Sequence, residues 1–145
     1  MTANLQTLDD VSCQAEKPCR IVVMEWSQSA AQILRLFLER DGHEVKVAMT
    51  GRDGLELVAS MKPDIVFSSL SVFDLDGYEV AQEIRRSLPY HPLLVAMSSS
   101  GRHFVQARAK EAGFDLFLPK PYHREDLLKT ISCVEDRTAH AELWL

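Results

Sequence analysis

The chain has few of the features that mark a disulfide-bonded, secreted or membrane-spanning protein. It contains three cysteines, Cys13, Cys19 and Cys133, and no two of them form a Cys-x-x-Cys pair. An odd, widely spaced set of this kind argues against a disulfide framework and predicts reduced thiols in a cytoplasmic protein. No apolar run approaches the ~18 residues that a membrane span needs. Residues 1–17 also lack the apolar core of a signal peptide.

Positive charge is also scarce. The chain has 16 lysine and arginine residues against 21 aspartate and glutamate residues, a net charge of −5, and no cluster of basic residues. This balance argues against the electrostatic footprint of a protein that binds nucleic acid or an anionic membrane. With 46% apolar and 26% charged residues in 145 positions, the composition is that of one ordinary globular domain.

Five short apolar runs alternate with stretches that have the 3.6-residue period of amphipathic helices. The runs are continuous, as in strands buried on both faces of a sheet, and predict strands at about residues 20–25, 44–48, 64–68, 93–97 and 115–118. Five such βα units with right-handed crossovers predict an α/β fold, a doubly wound five-stranded parallel sheet with helices on both faces. We expect a single domain over residues 19–135, a flexible leader at 1–18 and a short tail at 136–145.

The first helical stretch has a wide apolar stripe. Ser27 or Ser29 is suited to cap its N-terminus. Its period places five apolar side chains on the face expected to turn inward: Ala30, Ile33, Leu34, Phe37 and Leu38. The other stretches have similar stripes, the weakest at about residues 102–112. The period thus predicts a helix after each of the strands.

Side chains capable of polar contacts stand at the carboxyl ends of four of the predicted strands. They are Glu25-Trp26, Ser69, Ser98 and Lys120. In open α/β sheets, ligands bind outside the carboxyl ends of the strands, at the point where the strand order reverses. The pattern alone therefore predicts that these residues meet in one pocket.

Four short motifs fix the register of this pocket: Pro63-Asp64, Asp76-Gly77-Tyr78, Gly113-Phe114-Asp115 and Lys120-Pro121. With these motifs, the chain from about residue 20 to residue 134 resembles the receiver domain of two-component response regulators, which has the CheY-like, flavodoxin-like (βα)5 fold. The resemblance implies transfer of a phosphoryl group from a histidine to an aspartate. Acidic residues of the family hold Mg²⁺, and a lysine and a hydroxyl grip the phosphate.

Carried over residue by residue, the resemblance assigns this phosphorylation pocket to five positions. Glu25 is the first acidic position, Trp26 the second, Ser69 the acceptor, Ser98 the hydroxyl and Lys120 the lysine. Two carboxylates are therefore replaced, the one that would accept phosphate and one that would touch the metal. We expect Mg²⁺ binding to be lost or weak, and no other cofactor to be bound.

Each residue of this degenerate pocket has a simple structural interpretation. Trp26 is expected to pack as a lid over the strand ends, because an indole cannot ligate Mg²⁺. Glu25 and Lys120 are expected to form an ion pair in which each compensates the charge of the other. Ser69 is interpreted as a small polar strand-end residue, since a neutral hydroxyl is a poor nucleophile without a general base.

The leading functional hypothesis is a pseudo-receiver, not an enzyme, that binds a signalling protein independently of phosphorylation. The resemblance implies a binding face on the fourth helix, fifth strand and fifth helix, with Phe104, Phe117 and Tyr122 as candidate contacts. Homodimerisation is a second use of that face. Leu143-Trp144-Leu145 form an apolar end to the tail, suited to fold back on a helix or to reach a neighbouring subunit.

The alternative hypothesis is an active phosphotransfer receiver that uses Mg²⁺. Its acceptor would be Ser69 or a displaced aspartate, Asp74 or Asp76. The position of Asp76 before a helical stretch favours a helix cap instead. A third interpretation, a truncated regulator that once carried a DNA-binding domain, stays open, although the residues after Val134 are too few to read DNA.

Overall fold

The computed structural model of the protein describes residues 18–71 and 74–134. Strands and helices alternate in the order β1 (Arg20–Met24), α1 (Gln28–Arg40), β2 (Glu44–Ala48), α2 (Gly51–Met61), β3 (Ile65–Ser69), α3 (Gly77–Ser87), β4 (Leu93–Ser98), α4 (His103–Ala112), β5 (Leu116–Pro119) and α5 (Arg124–Ser132). Each strand lies within one residue of its predicted bounds. None of the described helices has the length and apolar character to cross a membrane. The predicted leader apart from Pro18, and the tail with Leu143-Trp144-Leu145, lie outside the described residues.

The five strands form one parallel sheet in the order β2-β1-β3-β4-β5. Strand β1 pairs with β2 on one side and with β3 on the other, so Val22 lies between Lys46 and Val66. The strand order reverses between β1 and β3, which is where an open α/β sheet offers a crevice. The predicted doubly wound parallel sheet is therefore confirmed.

Alternate residues of the central strands enter two separate hydrophobic cores, one on each face of the sheet. In β1, Ile21 and Val23 point into the core covered by α1 and α5, whereas Val22 and Met24 point into the core covered by α2, α3 and α4. All of these side chains are fully buried. Burial on both faces explains why the strands appear in the sequence as continuous apolar runs.

Helix α1 is apolar on two faces, and the prediction for its inward face is partly wrong. The side chains that the sheet covers are Ala31, Leu34 and Leu38. Ile33 and Phe37, predicted to turn inward, are 54% and 37% exposed. A helix lying on a sheet buries a stripe of roughly 100°, and the predicted stripe was wider than that. Ser27, one of the two predicted caps, accepts the N–H of Ala30 at 3.4 Å.

Arg85 of α3 joins the amino ends of β4 and β5. Its Nη2 donates to Asp115 Oδ2 at 2.7 Å, and its Nε donates to the Gly113 carbonyl at 3.0 Å. Its Nη1 donates to the Pro92 carbonyl at 2.9 Å. Asp115 Oδ2 also accepts the N–H of Leu94 at 2.9 Å. The motif that begins at Gly113 is therefore a structural joint at the end of the sheet opposite the predicted pocket.

His43, between α1 and β2, is a buried hydrogen-bond acceptor. Its Nδ1 accepts the N–H of Cys19 at 2.9 Å, which holds the start of β1. Burial lowers the pKa of His43 below its ordinary value, and the charge of the nearby Asp41 offsets this only in part. Asp41 is itself held by Arg124 of α5, whose Nη2 lies 2.8 Å from its Oδ1. The folded state therefore favours the neutral imidazole.

We expect the protein to lose stability as the pH falls through the range in which His43 titrates in the unfolded chain. Because the folded-state pKa is depressed, the unfolded chain takes up the proton first, at about pH 6.5. The contribution of His43 is complete above that pH and declines below it, by at most about 1.4 kcal/mol per pH unit. Urea unfolding of the wild type and of H43Q, whose amide oxygen can accept the same N–H, measures the difference. Equal pH slopes for the two proteins would contradict this assignment.

Candidate functional site

The carboxyl ends of four strands lie side by side at one edge of the sheet. The parallel register sets Met24 beside Ser68, and Ser98 beside Pro119. The residues at and just beyond these ends therefore meet: Glu25, Ser69, Ser98 and Lys120. This is the edge at which the sequence predicted a pocket.

An ion pair between Glu25 and Lys120 lies at the centre of this edge. Lys120 Nζ donates to Glu25 Oε1, and Glu25 Oε2 accepts the N–H of Ser27 at 3.3 Å. The side chain of Glu25 is 2% exposed and that of Lys120 is 28% exposed. The predicted ion pair is therefore confirmed. Both carboxylate oxygens have partners within the protein, and the two charges cancel.

Tyr122 lies close to the same carboxylate. Its ring packs against the core covered by α1 and α5. Burial is the main cause that raises the pKa of its hydroxyl to about 12, and the negative charge of Glu25 adds to the effect. The phenol therefore stays protonated at any physiological pH.

Ser69 is buried at the end of β3, with 4% of its surface exposed. Its Oγ accepts the N–H of Ser71 at 3.4 Å, and its carbonyl accepts the hydroxyl of Ser68 at 3.1 Å. The first residue of α3 lies directly against it, since a Cβ at Gly77 would stand 2.6 Å from the Ser69 carbonyl oxygen. This close approach requires glycine at position 77, and the loop beyond β3 engages the serine hydroxyl.

Ser98 acts as the cap of a turn at the end of β4. Its Oγ accepts the N–H of Ser100 at 3.0 Å, and its carbonyl accepts the N–H of Lys120 at 2.8 Å. The half-buried hydroxyl therefore stabilises the loop that leads to α4, and the backbone of the same residue positions the lysine.

Trp26 does not form the predicted lid. It is 56% exposed, so most of the side chain faces solvent and does not pack over the strand ends. Strand β1 ends at Met24, and Trp26 lies in the bend that follows. Glu25 is turned inward toward Lys120, and the indole that follows it is turned outward.

Residues 21–132 match the family model of the response regulator receiver domain. The chain belongs to that family. It is 35% identical over 123 residues to response regulator MprA of Mycolicibacterium vanbaalenii, an alignment that covers 83% of this chain and 52% of the relative. Its structure is similar to that of chemotaxis response regulator CheY4 of Vibrio cholerae, with a TM-score of 0.76 and 24% identity over 81% of this chain and 99% of that chain. A two-component response regulator from Clostridium difficile gives a TM-score of 0.76 at 24% identity, covering 82% of this chain and 97% of its own.

This receiver spans about half the length of the relatives that it matches by sequence. Receiver domains are signalling modules of two-component systems, and they interact with signalling partners such as kinases. At 24% identity, the similar structures establish the fold.

The two aspartates that follow β3 are bonded to other parts of the receiver. Asp74 accepts the N–H of Gly51 at 2.6 Å and that of Arg52 at 3.2 Å, at the N-terminus of α2. Desolvation acts to raise the pKa of Asp74, but bonds from backbone N–H groups outweigh it and lower the pKa below its ordinary value. Asp76 caps α3 by accepting the N–H of Tyr78 at 2.8 Å, which confirms the cap predicted for it. The role of Asp74 was missed, because its partner Gly51 is 23 residues away and no local pattern signals the contact.

The residues predicted to contact a partner differ in exposure. Phe104, in α4, is 65% exposed. Phe117 is 6% exposed and packs in the core covered by α2, α3 and α4, so its prediction as a surface contact is wrong. Both faces of β5 are covered by helices, which turns the ring into one of the cores. Tyr122 is partly buried against the other core.

Replacing Lys120 with methionine should destabilise the receiver by about 3–5 kcal/mol, because Glu25 would remain as a buried, uncompensated carboxylate. The double variant E25Q/K120M should recover much of that loss, since it removes both charges. Chemical denaturation of the wild type, both single variants and the double variant measures the coupling free energy. K129M, at an exposed lysine of α5, is the matched control. A loss in K120M no larger than in K129M would show that the pair contributes nothing.

Proposed function

We propose that this receiver is a pseudo-receiver, which binds protein partners of a two-component pathway without being phosphorylated. The observation that carries the proposal is the serine at the end of β3. By the resemblance, Ser69 takes the position of the family's phospho-accepting aspartate. It is buried, and its hydroxyl accepts a bond from the following loop. A receiver without an acceptor would signal through the surfaces that it presents to other proteins.

The pocket offers poor chemistry for phosphorylation of Ser69. A serine hydroxyl needs a general base to become an effective nucleophile. Glu25 is the carboxylate at this edge, but its oxygens are taken by Lys120 Nζ and by the N–H of Ser27. Glu25 would have to break these two contacts to take the proton of Ser69, and this supports the interpretation of Ser69 as a structural residue.

The donor set also fits Mg²⁺ poorly, and we propose that binding of the metal is lost or weak. Mg²⁺ requires nearly octahedral coordination by oxygen, supplied in proteins by one or two carboxylates with water and phosphate oxygens. Trp26 has no oxygen to offer, and Ser69 offers a neutral hydroxyl in place of a carboxylate. Glu25 would have to leave Lys120 to coordinate the ion.

A displaced aspartate is a poor substitute for the acceptor. Asp74 is bonded to the N-terminus of α2, and Asp76 is bonded to the N-terminus of α3. An acyl phosphate at Asp74 would take one of the two oxygens that accept the N–H groups of Gly51 and Arg52. One at Asp76 would neutralise the carboxyl group that caps α3.

We propose that a signalling protein binds the face formed by α4, β5 and α5. Phe104 is its exposed apolar residue in α4. The guanidinium of Arg108, one turn further along, lies 4.0 Å from the ring centroid of Tyr78, which ties α4 to α3. Phe104 is therefore presented from an anchored helix.

Amide NMR spectra recorded while Mg²⁺ and then beryllofluoride are added to the labelled protein test this proposal. Beryllofluoride stands in for the phosphoryl group on an acceptor carboxylate. We expect no saturable shifts in the wild type at the residues of the pocket: Glu25, Ser69, Ser98 and Lys120. The reason is that the carboxylates that would bind the ion and the mimic are replaced or paired.

The double variant W26D/S69D is the matched positive control, because it restores both carboxylates at this edge. We expect it to gain Mg²⁺-dependent shifts at the same residues, which shows that the assay detects an occupied pocket. Saturable shifts in the wild type that extend from Ser69 to α4 would contradict the proposal and favour an active phosphate switch.

A further inference from the structure

Exposed apolar side chains are concentrated on one short segment of this protein. Among the described residues, seven large hydrophobic side chains are exposed, and four of them lie between positions 26 and 37: Trp26, Ile33, Leu36 and Phe37. Their exposed fractions are 56%, 54%, 63% and 37%. We call these four residues the α1 patch. Apolar residues on the face toward the core and also on the face away from it are typical of a helix that is covered on both sides.

Three of the four residues of the α1 patch lie on one face of the helix. At about 100° per residue, Ile33, Leu36 and Phe37 fall within an arc of roughly 100°, turned away from the buried stripe. Their spacing of three and four residues is that of a seam between packed helices. The fourth residue, Trp26, lies directly before the Ser27 cap, at the N-terminal end of α1.

We propose that the α1 patch is covered by the same patch of a second copy of this chain, with the two α1 helices antiparallel. Such pairing about a two-fold axis places Ile33 of one copy against Phe37 of the other, twice, around Leu36. The proposal rests on the exposed residues of α1 and on Trp26, and not on whether Ser69 accepts phosphate.

The distribution of charge along α1 favours the antiparallel arrangement. The first turn carries no acidic residue, and Arg40 lies in the last turn. Parallel pairing would set Arg40 against Arg40, with like charges opposed. Antiparallel pairing sets Arg40 against the uncharged start of the other helix, near Ala30 and toward Trp26, whose indole face attracts a guanidinium. Antiparallel pairing also places the positive end of each helix dipole beside the negative end of the other.

The area of the α1 patch suits a weak, reversible dimer. Scaled by their exposed fractions, the four side chains offer roughly 400–500 Å² per copy, or on the order of 1,000 Å² for the pair. This total lies at the lower limit for specific interfaces. We therefore expect a concentration-dependent equilibrium between monomer and dimer.

Sedimentation equilibrium of the full 145-residue chain, from micromolar to millimolar concentration, measures the association. We expect the wild type to dimerise, and we expect I33K and F37E each to weaken association by tenfold or more. M49E is the matched control: Met49 is about as exposed as Phe37 but lies between β2 and α2, and this variant should associate like the wild type. F104E is measured as well, to test the α4 face. Circular dichroism and thermal unfolding establish that the variants remain folded.

Mixing the variants tests the antiparallel register. An equimolar mixture of I33K and F37E should form a dimer of one copy of each, because the introduced lysine then faces the introduced glutamate and Ile33 faces Phe37. Parallel pairing, or a different protein as the occupant, would give no recovery.

The proposal is overturned if the wild type is monomeric at millimolar concentration. It is also overturned if F104E dissociates the dimer while I33K and F37E do not, which would place the interface on α4. Failure of the mixture to associate would overturn the antiparallel register.

Discussion

The central strands β1, β3 and β4 are covered by helices on both faces, and that constraint decides where the polar chemistry of this receiver can stand. A polar group inside either core loses its contacts with water and must find a partner in the protein. These strands are therefore apolar along most of their length, and side chains with chemical function collect where the strands end. Glu25 stands at this boundary. It is as deeply buried as the core, yet it keeps its position because Lys120 and the backbone of Ser27 bond its two oxygens.

The polar groups around the strand ends are likewise bonded to partners within the protein. Ser69, Ser98, Asp74 and Asp76 each accept a bond from a backbone N–H, and each bond holds a loop or the start of a helix. These bonds join neighbouring elements at the carboxyl end of the sheet, and the polar groups there stabilise one another.

Features that depend on residues close together in the sequence could be predicted. Continuous apolar runs located the strands, and the positions of Ser27 and Asp76 before helices identified two caps. The Glu25–Lys120 pair followed from the convergence of parallel strand ends. The predictions were wrong where contacts with distant parts of the chain determine which side chains are buried. The period of α1 predicts a helix, but it cannot set the rotation of a helix that has more apolar residues than one face can bury. The exposure of Trp26 depends on which neighbour takes the inward direction, and Asp74 contacts a residue distant in sequence.

The closed ion pair bears on the kinetics with which partners meet this protein. Oppositely charged groups in contact form a short-range dipole, whose field falls off faster than that of a free charge. A phosphorylated partner approaching the carboxyl ends of the strands would therefore gain little attraction from Lys120, whose charge Glu25 neutralises. Lys120 would therefore add little electrostatic steering to encounters at this edge. Selection among partners would then fall to the fit of apolar surfaces, which act once two molecules have already touched.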